Sequence, residues 1–130
     1  MKLDYDCVRD VLLVIEEVTT ITDDFALKDV LFINIVNKLE SYSDKEIFYT
    51  TRKLEEAGFI LTRNDNDTRK NSFDINDYYI KDITFKGHQY INSIRDEKIW
   101  SKVKQTVKTL TFSIILQAAE YYILSNLGVK

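Results

Sequence analysis

The segment from Ser43 to Leu61 constrains this chain more than any other, because it carries its own start, stop and continuation. Ser43 followed three residues later by Glu46 is a capping-box pattern, in which each side chain satisfies a backbone N–H of the other at a helix start. Ile47, Leu54 and Ala57 then mark one helical face, and Gly58 supplies the left-handed residue that closes a helix. Phe59, Ile60 and Leu61 follow at once as a short strand. The chain must therefore turn from helix to strand with almost no loop between them.

Elements on either side fall into place around this junction. Val8, Val11, Leu12, Ile15 and Val18 recur at helical spacing behind Asp4 and Asp6, which predicts a first helix over residues 4–18. Thr22, Asp23 and Asp24 offer N-cap chemistry, and Leu27, Val30, Leu31, Ile35, Val36 and Leu39 read as a second amphipathic helix ending near Glu40. After the short strand come polar residues from Asn64 to Asp77, read as a hairpin tip, and a second strand from Tyr78 to Thr84. Gly87 interrupts the next segment near its start, but His88, Tyr90, Ile91 and Ile94 continue with helical spacing. Ile99, Val103, Val107 and Leu110 form a further stripe, and a last helix ends near Leu127.

Three helices, a strand, a loop and a returning strand is the order of a winged helix. The expected fold is mainly α with a small β-hairpin: a winged helix-turn-helix in residues 1–95, followed by C-terminal helices in residues 96–130 that extend the same domain. There is no proline, and Gly58, Gly87 and Gly128 are the only glycines, so no flexible linker marks a domain boundary.

Several function classes are disfavoured by what the chain lacks. Cys7 is the only cysteine and His88 the only histidine, so no disulfide and no zinc-binding spacing can be assembled. Cys7 reads as a small buried hydrophobe in a reducing compartment, and His88 as a capping or packing residue. No phosphate-binding glycine loop, nucleophile elbow or apolar carboxylate pair occurs, so the expectation is a protein without catalysis, metal or cofactor. Trp100 reads as an anchor between the winged helix and the helices after it. Asp4 and Asp6 stand where a secretion signal would need a basic start. The apolar stretch from Leu110 to Leu127 is broken by Gln117 and Glu120, which are costly at bilayer depth. A cytoplasmic chain with no membrane partner is expected.

Binding residues are sought on the outer face of the third helix, where Lys45, Tyr49, Arg52 and Lys53 align, with Phe48 at the edge. Lysine and arginine pair with phosphates, and arginine reads guanine in the major groove. Arg63, Arg69 and Lys70 would add phosphate contacts at the wing. Opposing them, Glu55 and Glu56 end the helix, and Asp65, Asp67, Asp74 and Asp77 crowd the loop. Residues 1–60 hold seven basic and thirteen acidic side chains, whereas residues 95–130 hold six and three. Arg95, Lys98 and Lys102, with Lys108 further along, lie opposite the fifth helix's apolar stripe and read as a solvated face. The last helix is apolar nearly all round. Phe112, Ile115, Leu116, Ala119, Tyr122 and Ile123 are the expected contacts of a homodimer, which would also suit a protein reading two half-sites.

The segments KLDYDCVRDVLLVIEE, SDKEIFYTTRKLEEAGFI and ITFKGHQYINSIRDEKIWSKVK resemble a phage- and prophage-associated family of unassigned function, domain of unknown function 2513. The last segment is the most specific, through Thr84, Gly87, His88, Ile94, Arg95, Asp96, Trp100 and Lys102. Similarity fades over residues 25–40 and 64–77. The resemblance implies a winged-helix fold and a viral or mobile-element setting, but no activity. Two functions follow as expectations. One is a phage- or prophage-encoded DNA-binding regulator; the other is a module that binds a host protein and inhibits an antiviral system, in the manner of an anti-CRISPR.

Overall fold

A computed structural model describes residues 1–64 and 74–126. It divides into two compact units, Met1–Gly87 and His88–Lys130. The chain is mainly helical, with a small antiparallel sheet.

In the first unit, helix α1 (Tyr5–Val18) begins at Asp4, whose carboxylate accepts from Asp6 N at 2.9 Å and Cys7 N at 3.3 Å. Its apolar positions Cys7, Val8, Val11, Leu12 and Ile15 are all fully buried. The helix expected next is much shorter. Residues 20–29 form a polar turn closed by a bridge between Ile21 and Leu27, and the chain then enters a strand β1 (Val30–Leu31) before helix α2 (Phe32–Lys38). The threonine and aspartates taken for an N-cap instead hold the turn: Thr22 N donates to Ala26 O, and the Thr22 hydroxyl bonds Asp24. Such side chains offer the backbone an alternative to helix bonds. Phe25, at φ 63°, sits in a region that no helix contains.

Helix α3 (Asp44–Glu56) has the expected capping box, Glu46 N donating to Ser43 Oγ and Ser43 N to Glu46 Oε1. Gly58 closes it at φ 79°. Strand β2 (Ile60–Asn64) follows, and a short 3-10 turn (Ile75–Asp77) leads into β3 (Tyr78–Ile83). The expected two-stranded hairpin is thus one part of a three-stranded sheet in the order β1-β3-β2, with Val30 opposite Ile80 and Ile60 opposite Ile83. A two-residue strand is too short to show a period in sequence. The register steps from Leu61–Asp82 to Thr62–Ile80, so Lys81 is an extra residue on β3. That bulge moves the buried set from Tyr78 and Ile80 to Ile83, where strict alternation would have buried Asp82. Beneath the sheet, Phe32, Phe48 and Tyr78 meet at ring centroid separations of 5.3–5.9 Å.

Helix α4 (Phe85–Ile94) begins in the first unit and continues in the second. Gly87 is buried in its first turn, where a Cβ would lie 2.2 Å from the Phe59 carbonyl oxygen. The glycine that looked like an interruption permits this approach. In the second unit, helix α5 (Glu97–Thr106) is capped by Asp96 and buries Ile99, Trp100 and Val103. It stops at Thr106, so Val107 and Leu110 lie in the connection to helix α6 (Phe112–Asn126). Among the described residues, no helix is long and apolar enough to cross a membrane.

Candidate nucleic-acid interface

Because Ile47, Thr50, Thr51 and Leu54 turn inward, the opposite side of α3 faces solvent. The capping box fixes where that face begins. Lys45, Tyr49, Arg52 and Lys53 do share it, but they differ in what holds them. Lys45 is exposed and forms no ion pair with a described residue. Arg52 Nη1 lies 3.1 Å from Glu55 Oε1, and Lys53 Nζ lies 2.7 Å from Glu56 Oε2. The bond to Glu56 raises the Lys53 pKa. Lys53 also stands over the Tyr49 ring, 5.4 Å from its centroid. Phe48, expected at the edge of this face, is half-buried in the aromatic cluster.

Glu55 does more than pair with Arg52. Its second oxygen accepts from the Thr62 hydroxyl at 2.5 Å, tying the last turn of α3 to β2. At the same end, Lys86 Nζ donates to the Ala57 carbonyl at 3.1 Å, a favourable place for a cation at a helix C-terminus. On the sheet, the Arg63 guanidinium stacks over Tyr79 at 4.5 Å and pairs with Asp29 at 3.3 Å. Arg69 and Lys70 lie outside the described residues.

The carboxylates Glu55 and Glu56 were legible as opponents from their three-residue spacing to Arg52 and Lys53. Asp29, thirty-four positions from Arg63, gave no such signal. Beside α2 and β1 an open cleft of about 650 Å³ is lined by Val18, Lys28, Asp29, Asn34, Asn37 and Tyr79, among others. Among the described residues, no group of three His, Cys, Asp or Glu side chains could hold a metal ion.

The residues expected at a dimer interface lie mostly on the inner side of α6. Ile115 and Ala119 have no exposed surface, Phe112 packs edge-on to Tyr90 at 5.2 Å, and the Tyr122 hydroxyl donates to Thr106 at 2.8 Å. Leu116 and Ile123 are half-buried. The outward apolar positions of α6 are Ile114, Tyr121 and Leu124, with Tyr121 67% exposed. Helical spacing sets Ile115 and Ala119 on one stripe and Tyr121 and Leu124 off it, but in a helix apolar nearly all round spacing does not say which side the chain itself covers.

The family described as Hypothetical protein (DUF2513) matches residues 2–113. The chain belongs to that family. The match runs through both units and ends at the start of α6, so most of α6 lies beyond it. Neither the curated proteins nor the solved structures contain a match to this family member.

Proposed function

We propose that the chain is a winged-helix protein that binds duplex DNA without catalysing a reaction, as a phage- or prophage-encoded transcriptional regulator acting in the bacterial cytoplasm. The observation that supports this reading is the element order α1-β1-α2-α3-β2-β3 with sheet order β1-β3-β2, which leaves the outer face of α3 open and sets a hairpin beyond it. In such modules the third helix enters the major groove and the hairpin meets the backbone. Lys45 and Tyr49 would position α3, Arg52 would read a base, and Lys53 and Arg63 would meet phosphates. The ion pairs on α3 do not forbid this. An exposed pair contributes at most about 1 kcal/mol, whereas a bidentate arginine–guanine contact is worth about 1–3 kcal/mol. A homodimer through the C-terminal helices belongs to this reading, and in it the contacts would fall on Ile114, Tyr121 and Leu124 rather than on buried Ile115 and Ala119.

The test is equilibrium binding of the chain to duplex DNA between about 50 and 200 mM salt, where several phosphate contacts make affinity fall steeply. Replacing Lys45, Arg52 and Lys53 together by alanine should weaken binding; unchanged binding sinks the role of α3. A second reading is favoured by one observation: residues 1–87 carry eighteen acidic and twelve basic side chains, a net of −6. An acidic module of this kind suits a protein partner, such as a component of a host antiviral nuclease system. Capture of one host protein that survives nuclease treatment, with no DNA retained, would establish that reading instead.

A further inference from the structure

We propose that the solvent face of α5 and the connection after it form a second, sequence-independent contact surface for the DNA phosphate backbone, carried by Lys98, Lys102 and Lys108. The proposal rests on the DNA-binding reading for the identity of its occupant, but the surface itself follows from the second unit alone.

Residues 95–108 hold five cations, Arg95, Lys98, Lys102, Lys104 and Lys108, against Asp96 and Glu97, within a chain whose net charge is −3. Burial of Ile99, Trp100 and Val103 forces Lys98 and Lys102 onto the opposite side, and Lys98, Lys102, Lys104 and Lys108 are all exposed. Among the described residues, Lys98, Lys102 and Lys108 form no ion pair. Asp96 is committed elsewhere, since its carboxylate accepts from Lys98 N at 2.8 Å and Ile99 N at 3.1 Å as the helix cap.

An aromatic ring, rather than a carboxylate, stands beside Lys102, and a second ring stands beside Lys104. Lys102 Nζ stands 5.7 Å from the centroid of Tyr122, whose hydroxyl is anchored on Thr106, and Lys104 Nζ stands 5.5 Å from that of Trp100. A ring face attracts an ammonium without cancelling its charge. On α3 the situation is reversed, with Arg52 and Lys53 each held by a glutamate.

Among the described residues, no ion pair balances Lys98 and Lys102. Lys98 and Lys102 are one turn apart, and like charges at that spacing destabilise a helix. A merely solvated face could carry either sign without that repulsion. A polyanion relieves the repulsion and gains entropy from the counterions it releases.

The experiment compares the full chain with the triple variant Lys98→Ala, Lys102→Ala, Lys108→Ala and with Lys98→Arg, Lys102→Arg, Lys108→Arg. Affinity is measured for several unrelated duplexes across the salt range, with far-UV circular dichroism and thermal unfolding as folding controls. Loss of three phosphate contacts should flatten the plot of log affinity against log salt by about 2–3 and weaken every duplex alike, while the arginine variant keeps both properties. If the chain binds DNA and the alanine variant binds it with the same slope, the α5 surface is wrong and the DNA-binding reading stands. If the unaltered chain binds no duplex, both fall together. If the alanine variant keeps DNA binding but loses binding to vesicles of phosphatidylserine and phosphatidylcholine, the occupant is an anionic lipid surface and the proposal is overturned.

Discussion

The Glu55 carboxylate is shared between Arg52, one turn before it on α3, and Thr62 on β2. One side chain thus restrains the central arginine of the helix face and ties the end of that helix to the sheet. Glu55→Gln keeps an oxygen for Thr62 but removes the charge that holds Arg52. On the proposed DNA-binding reading, affinity for duplex DNA should rise by a few-fold, the scale of an exposed ion pair of about 1 kcal/mol or less, with little change in thermal stability. Binding curves at low salt check this; a fall in affinity would mean that Arg52 works only when Glu55 orients it.

The two described glycines should respond to alanine for different reasons. At Gly87 the new Cβ would meet the Phe59 carbonyl at 2.2 Å and Ile83 Cγ1 at 2.8 Å, and backbone cannot swing aside as a flexible side chain can. Gly87→Ala should cost about 2–3 kcal/mol or more, read as a lowered denaturant midpoint. At Gly58 nothing lies within 4 Å, but φ is 79°, so Gly58→Ala should cost only the left-handed strain of about 1–2 kcal/mol.

Ser43→Ala removes the hydroxyl that accepts from Glu46 N and leaves an unsatisfied donor at the start of α3. A loss of about 1 kcal/mol is expected from urea unfolding. Ser43→Asp should retain most of the stability, because its carboxylate can accept the same bond and complements the helix dipole.

Stability should decline on the alkaline side. Burial pushes the Cys7 thiol up from 9.0 to about 11, with Thr50 hydrogen bonding opposing and nearby carboxylates adding to the shift. Burial also pushes Tyr78 up from 10.0 to about 12, and burial with the bond to Asp10 raises Tyr42. Each group is neutral when protonated, and the fold holds its proton more tightly than the unfolded chain does. Their contribution is therefore complete below the unfolded values and is lost as pH rises through the folded ones, from about pH 9 upward. Urea midpoints between pH 7 and 11 should be level up to about pH 9 and then fall. Cys7→Ala should move the onset of the fall toward the tyrosine range.

Much of the local structure could be read without coordinates. Asp4, Ser43 and Gly58 mark helix ends by chemistry confined to a few neighbouring residues, and the α1 stripe from Val8 to Ile15 repeats often enough to declare its face. The second helix misled for the same reason in reverse. Thr22 to Asp24 can cap a helix or hold a turn, and the choice was made by the bridge between Ile21 and Leu27 and the pairing of Val30 and Leu31 with β3. The β3 partners of Val30 and Leu31 lie some fifty residues away in sequence, beyond any local period.

The candidate site divides along the same line. The sequence alone determined that Lys45, Tyr49, Arg52 and Lys53 share one side of a helix, because 3.6 residues per turn leaves them no alternative once that helix is capped. It also determined the opposing glutamates three residues on. Only the tertiary structure decided that Glu55 reaches Thr62, that Arg63 is taken by Asp29 and Tyr79, and that Ile115 and Ala119 are spent on the inner side of α6. Spacing along one helix is set by backbone geometry, but which charges and apolar faces remain available is set by chain segments that meet only when the whole chain has folded.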